Sequence, residues 1–210
     1  MSLFTILPSM AGKKIILASG SPRRKQMFDE VLRISGLYMQ IPSKFDEDAV
    51  DVNAYAIEEY TKMLAQGKAE YVVNDLRNEG TEFDYVIGCD TMVVFDHHKL
   101  GKPKTDEKAL EMLSLLSGRD HEVISGVSIF PAEGEPITFT ESTRVFFKDL
   151  TVEEIQNYVD SKEPHDKAGG YGIQGLGGIF IEKIEGCFYN VMGFPIHRFY
   201  DQLRVSFSEQ

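Results

Sequence analysis

Cysteine is scarce: Cys89 and Cys187 are the two in 210 residues, and they lie far apart in sequence. That argues against a disulfide framework and against a zinc site built on cysteine pairs. Long apolar runs are also missing; none approaches the roughly 20 residues that a membrane-spanning helix needs. The mildly apolar stretch at 1–12 lacks the basic start and full hydrophobic core of a signal peptide, so it reads as an N-terminal extension. A single domain over 13–210 and a cytoplasmic location are the expectations. Positive charge is short as well, with 22 Lys and Arg against 33 Asp and Glu for a net charge of −11. A broad nucleic-acid surface depends on concentrated Lys and Arg, so neither nucleic acid nor membrane is an expected partner. An anionic ligand would have to be held by local basic clusters.

Familiar catalytic patterns are lacking too. Leu100-Gly101-Lys102-Pro103 is not a Walker motif, because the spaced upstream glycine and the following Ser or Thr are missing. No Ser-His-Asp set is recognisable. His97 and His98 fall in a hairpin turn, and His121, His165 and His197 stand apart in sequence, so none is assigned to a metal.

What is present has the balance of a globular protein, 42% hydrophobic and 26% charged. Residues 13–19 read as a strand opening into a tight Gly-Ser-Pro loop, and 23–34 as a helix using Met27, Val31, Leu32 and Ile34. A short strand follows at 38–42. Residues 53–74 have a helical pattern with Ala54, Ile57, Met63, Leu64, Ala65 and Ala69 on one face. The most strand-like run is 84–95, interrupted by Gly88 and Asp90. Thr105 caps a helix that uses Ala109, Leu110, Leu113 and Leu116 and stops at Gly118. Strands are expected at 121–130, 137–147 and 179–184, a capping-box helix from Thr151 and Glu154 through Val159, and a last helix at 195–203. Six of the 18 glycines fall in 169–178, which suits a loop that approaches something closely. Alternating strands and helices point to an α/β protein with a mixed, twisted sheet.

Four clusters carry chemistry. Ser19-Gly20-Ser21-Pro22-Arg23-Arg24 stands at a strand-to-helix turn, where backbone N–H groups, hydroxyls and paired arginines suit phosphate; the plain alternative is a capped helix start with solvated arginines. Asp46-Glu47-Asp48 and Asp90 form an acidic set. A charged Asp within an apolar strand is costly unless paired or bound to metal, and Glu47 with Asp90 would suit a hard cation. Lys102 is aimed by its flanking Gly101 and Pro103, although a surface turn would look the same. Asp166-Lys167 precedes the glycine-rich run that contains Gln174.

In this order the segments ILASGSPRR, FDED, GCDTMVVFD, LGKP, LSGRDHEVISGV, DKAGGYGIQG and NVMGFP, from residue 15 to the last helix, resemble the Maf family of nucleotide pyrophosphatases. The resemblance implies an α/β fold of the Maf/ITPase-like kind: an elongated, bent mixed β-sheet with flanking helices and two lobes around a central cleft. It further implies a homodimer, a nucleoside triphosphate substrate and a divalent cation, magnesium first and then manganese or cobalt. By position, Ser19, Arg23 and Arg24 resemble the phosphate-binding loop, Glu47 and Asp90 the catalytic or metal-binding acids, and Lys68 and Lys102 the basic residues facing the triphosphate. Asp166, Lys167 and Gln174 match the later motif. The Ser-Pro-Arg-Arg loop and Gly172-Ile173-Gln174-Gly175 resemble the subgroup that prefers dTTP and UTP. Three positions depart from the pattern: Tyr189 replaces the usual serine before Asn190, Ser125 stands where threonine is common, and Gly67 stands where an acid is frequent. Two other readings remain, a nucleotide-binding regulator of cell division without turnover and a pyrophosphatase for modified purine nucleotides.

Overall fold

The apolar run after Lys14 forms β1 (Ile15–Ala18), whose four residues are all buried. The computed structural model describes Leu3, residues 8–51 and residues 54–208. After β1 a short helix α1 (Pro22–Gln26) leads into a π-helical turn at Met27–Val31 and then β2 (Tyr38–Gln40). The long helix α2 (Ile57–Asn78) precedes β3 (Tyr85–Phe95) and β4 (His98–Leu100). The rest of the chain supplies α3 (Asp106–Leu116), β5 (Asp120–Pro131), β6 (Ile137–Phe147), α4 (Val152–Asp160), β7 (Ile181–Glu185), α5 (Phe188–Met192) and α6 (Ile196–Ser208). Among the described residues the strands form a seven-stranded sheet ordered β2-β1-β3-β5-β6-β7, with β4 paired to β3. β1 runs parallel to β2 and β3, whereas β4 on β3 and β7 on β6 are antiparallel. The sheet is therefore mixed, as the alternation of elements predicts.

The chain divides into two compact units, one of Met1–Asp90, Gly126–Thr140 and Ile196–Gln210, the other of Thr91–Ser125 and Glu141–Pro195. In the first, Ile16, Ala18 and Val86 of the sheet pack with Ala69, Val72, Val73 and Leu76 of α2. Two glycines permit this contact. A β-carbon on Gly88 would overlap the Ala65 carbonyl and stand 2.8 Å from the Ala69 β-carbon, and one on Gly126 would lie 2.5 Å from the Thr61 carbonyl oxygen. In the second unit Leu113 and Leu116 of α3, Ile155 and Val159 of α4, and Val123, Val145 and Phe147 of the sheet share one core.

Several boundaries differ from the sequence reading for local reasons. The 53–74 helix begins at Ile57 and continues to Asn78, because Val72, Val73 and Leu76 extend the buried stripe; Ala54 is exposed and Met63 half-buried. Asn53 lies outside the described residues. The 23–34 helix breaks into α1 and the π turn, which leaves Val31 exposed while Met27, Leu32 and Ile34 are buried. The 179–184 strand starts at Ile181, since 3₁₀ turns at Leu176–Phe180 come first. Of the extension at 1–12, residues 1, 2 and 4–7 lie outside the described residues; Leu3 and Met10 are buried, and the Leu3 N–H donates to the Leu32 carbonyl at 2.8 Å. The capping box at Thr151 and Glu154 is present, and Gly118 ends α3 with φ of 67°.

His121, isolated in the sequence, is buried edge-on to Phe147 and Tyr171, with its Nε2 2.7 Å from the Tyr171 hydroxyl. Burial pushes its imidazole down to about 4, partly opposed by the charge of Asp120. As pH falls the unfolded chain, titrating near 6.5, takes up the proton first. Folding stability should therefore fall between about pH 6.5 and about pH 4, by as much as about 3 kcal/mol. Aspartates held low by partners, such as Asp29 by Lys25 and Asp120 by Arg144, lose their contribution below their ordinary value of 3.8, outside that window, and Glu82 and Glu154, with an ordinary value of 4.5, touch only its lower end. Urea unfolding across the window should show the slope, and His121→Gln should flatten it. An unchanged slope in the variant would contradict this assignment.

Candidate active site

In the first unit the site starts where β1 ends. Ala18 pairs with Gly88 at the last step of the β1–β3 register, so Ser19 leaves the sheet beside the stretch of β3 that leads to Asp90. Loops beyond the carboxyl ends of parallel strands are where open α/β sheets place their ligands. The Ser19 hydroxyl accepts the Ser21 N–H at 3.2 Å and Arg24 Nη1 at 3.1 Å. Ser21 caps α1, its hydroxyl accepting the Arg24 N–H at 3.4 Å, with Pro22 in the first turn. The capped-helix reading of this loop is thus correct for Ser21, and it coexists with Ser19 and Arg24 in direct contact. Arg23 and Arg24 are both half-buried. Gln40, which the sequence reading did not single out, fixes the loop from β2: its Nε2 donates to the Ser19 carbonyl at 2.7 Å and the Ser21 carbonyl at 3.4 Å.

Asp90 is buried within β3, on the same strand face as Gly88 because side chains alternate. The close approach of α2 at Gly88 brings Lys68, one turn beyond Ala65, to that face. Lys68 Nζ lies 2.6 Å from Asp90 Oδ1 and 3.0 Å from Glu47 Oε1. The Lys68 and Asp90 side chains are only 13% and 11% exposed, so their attraction is screened far less than that of a surface pair. Leaving either charge buried alone would cost several kcal/mol, roughly 3–5 by analogy with other broken buried pairs. Glu47 is the more exposed partner. It opens the 3₁₀ turn Glu47–Ala49, where Asp46 Oδ1 accepts the Asp48 N–H at 3.2 Å. Gly67 also finds its reason here: the Phe45 ring lies against it, and a β-carbon would come 2.5 Å from Cζ. The ring two residues before Glu47 is thereby seated on α2 beside Lys68.

The second unit holds the other group. Lys102 is exposed after β4, and its loop is tied down where the Gly169 N–H donates to the Gly101 carbonyl at 3.1 Å. Gly169, with φ of 70°, lies against Val93. Lys167 Nζ donates to Asp166 Oδ1 and to the Glu163 carbonyl, each at 2.7 Å. The glycine-rich run approaches its neighbours closely, as expected, but it is built of turns and 3₁₀ segments with a definite anchor. That anchor is Glu163, which the sequence reading missed. Its Oε2 accepts the Leu176 N–H at 3.0 Å, and its Oε1 accepts the Gly177 N–H at 3.3 Å and the Tyr158 hydroxyl at 2.9 Å. Burial and Glu163 raise the Tyr158 pKa, which keeps that hydroxyl a donor. Gln174 is exposed on the turn that precedes Leu176.

The departures at Ser125 and Tyr189 surround a buried polar network. Asn190 Nδ2 donates to the Val123 carbonyl at 2.8 Å and to Thr143 Oγ1 at 3.0 Å. The hydroxyls of Ser125 and Thr91 are 2.9 Å apart, and Thr91 donates to the Gly193 carbonyl at 3.2 Å. Serine at 125 keeps the hydroxyl this network uses. Tyr189 stacks edge-on with Phe188 and leaves the Asn190 amide in place.

A mixed α/β sheet with a hydroxyl-and-arginine loop after β1 and a lysine-bridged carboxylate pair, Asp90 from within β3 and Glu47 from the turn after β2, defines an α/β protein suited to phosphorylated ligands. The chain belongs to the Maf-like protein family, whose model matches residues 14–206. It is 46% identical to the dTTP/UTP pyrophosphatase of Clostridium novyi (strain NT) over 189 residues, covering 89% of this chain and 94% of that one. Over 187 residues it is 45% identical to the dTTP/UTP pyrophosphatase of Geobacillus sp. (strain WCH70), with the same coverage of 89% and 94%. Among solved structures, the Staphylococcus aureus Ham1 protein overlaps 65% of this chain and 73% of its own, at a TM-score of 0.41 and 20% identity.

Proposed function

We propose that this chain hydrolyses nucleoside triphosphates, UTP and dTTP in preference to ATP and GTP, between the α- and β-phosphates to give the monophosphate and pyrophosphate. The observation that carries the reading is Lys68 held between Glu47 and Asp90, two carboxylates within hydrogen-bond reach of one cationic atom. The name dTTP/UTP pyrophosphatase, borne by relatives at 45–46% identity over about nine-tenths of the chain, supports it. A homodimer, which rests on the family resemblance, and a cytoplasmic location belong to the same reading.

Glu47 and Asp90 would hold a divalent cation, magnesium first and manganese or cobalt next. One ammonium touches both carboxylates, so one cation can do the same, and hard oxygen donors suit these ions. Among the described residues no group of three or more His, Cys, Asp or Glu is gathered for a metal. The remaining ligands would then be phosphate oxygens and water, as is usual for magnesium. When bound, the ion would neutralise charge on the phosphates. Arg23, Arg24 and the Ser19 hydroxyl bind phosphate oxygens, and Lys68 and Lys102 take up the charge that develops on the leaving pyrophosphate. Water attacks the α-phosphorus in line, with Asp90 either accepting its proton or serving as metal ligand alone. Asp166, Lys167 and Gln174 bind substrate; the Gln174 amide offers a donor and an acceptor to match N3–H and an adjacent carbonyl of uracil or thymine.

A nucleotide panel with pyrophosphate detection tests the reading. The expected result is higher kcat/KM for UTP and dTTP than for ATP or GTP, with Gln174→Ala narrowing the gap mainly by weakening the pyrimidines. Equal or better efficiency with ATP or GTP would refute the preference alone. Binding of nucleotide without release of pyrophosphate would favour a regulator.

A further inference from the structure

Lys68 sits where a metal ion would have to sit. Its Nζ is within 3.0 Å of one oxygen on each of Glu47 and Asp90. A magnesium-type ion bound to the same oxygens at about 2.0–2.1 Å would stand within a few ångströms of that ammonium. Three positive charges would then face two negative ones in a half-buried place where screening is weak. We infer that the Lys68 ammonium is a resident counter-cation and that it and a divalent cation occupy the Glu47 and Asp90 pair in alternation. The ammonium has to leave before the ion is held tightly.

Lysine suits such a role. Its charge is compact and rides on a flexible four-carbon stem, so Nζ can move while α2 stays packed on Gly88. In the nucleotide-free protein Lys68 compensates the buried Asp90 and keeps free divalent ions weakly bound. When a triphosphate arrives, its oxygens accept the ammonium and the carboxylates become available. Ion and nucleotide consequently strengthen each other's binding, and by linkage the effect is reciprocal. This inference rests on the reading of Glu47 and Asp90 as the metal carboxylates, and the test separates the two.

Nucleotide-free protein is titrated with Mn²⁺, with the free ion read by electron paramagnetic resonance, in the unmutated chain, Lys68→Met and Asp90→Asn. Methionine keeps an unbranched stem and removes the charge. The expected result is a Kd about tenfold or more lower in Lys68→Met than in the unmutated protein, and loss of binding in Asp90→Asn. Equal affinity in the unmutated chain and Lys68→Met overturns the inference and leaves the metal reading standing; no binding in either overturns both. Should Lys68→Met fail to fold, the unmutated protein answers the question through the reactivity of Lys68 toward an amine-acylating reagent, read by mass spectrometry. Mg²⁺ without nucleotide should raise labelling at Lys68 several-fold relative to the exposed Lys108, and unchanged labelling at saturating Mg²⁺ overturns the inference.

Discussion

Asp90→Asn should lower kcat by about 10² or more, the scale of a lost acid–base group, while the protein still folds. Asparagine has nearly the shape of aspartate and keeps an oxygen that can accept from Lys68 Nζ, now 2.6 Å from Oδ1. Lys68 also retains Glu47 at 3.0 Å. The ammonium is therefore not stranded, and the loss of stability should stay below the roughly 3–5 kcal/mol of a buried pair broken outright. Catalysis has no such reserve, because the amide neither takes a proton from water nor brings negative charge to a cation. Steady-state kinetics beside urea unfolding checks both halves. Turnover equal to that of the unmutated chain would remove Asp90 from the mechanism.

The second large effect concerns packing and reaches the site through it. Gly88→Ala places a β-carbon against the Ala65 carbonyl and 2.8 Å from the Ala69 nitrogen and β-carbon, all on α2. Helix backbone cannot yield as a flexible side-chain tip can. Strand and helix must separate, at a cost of about 1–3 kcal/mol, the range for an overpacked core. The same separation draws Lys68 from Asp90, so kcat/KM should fall as well, although no reacting group has changed. Gly101→Ala is the control for stability, since a β-carbon there meets nothing within 4 Å. Urea unfolding of the two variants decides the matter; equal stability of Gly88→Ala and the unmutated chain would contradict the packing account.

Residues whose role follows from their own surroundings in sequence were legible there. A charged Asp90 in an apolar strand, the Thr151 and Glu154 capping box and the Gly118 stop are all local patterns, and each is found in the fold. Lys68 was reached through the family resemblance; in helical terms it is one polar residue beside Ala69, and its partners lie 21 and 22 positions away. Gln40 and Glu163 gave no signal, because each acts on backbone groups of a segment distant in sequence. Gly67 and Ser125 depart from the family pattern, and their local reasons lie in residues distant in sequence: the Phe45 ring against Gly67, and the Thr91 hydroxyl 2.9 Å from that of Ser125. The π turn at Met27–Val31 was missed because periodicity over 23–34 fits an unbroken helix about as well.

Hydrolysis of UTP in ¹⁸O-labelled water, with the products resolved by mass spectrometry, bears most directly on the central claim. Attack of water at the α-phosphorus puts the label in UMP and leaves the pyrophosphate unlabelled, which is the predicted result. Label in inorganic phosphate, with UDP as the other product, would contradict it.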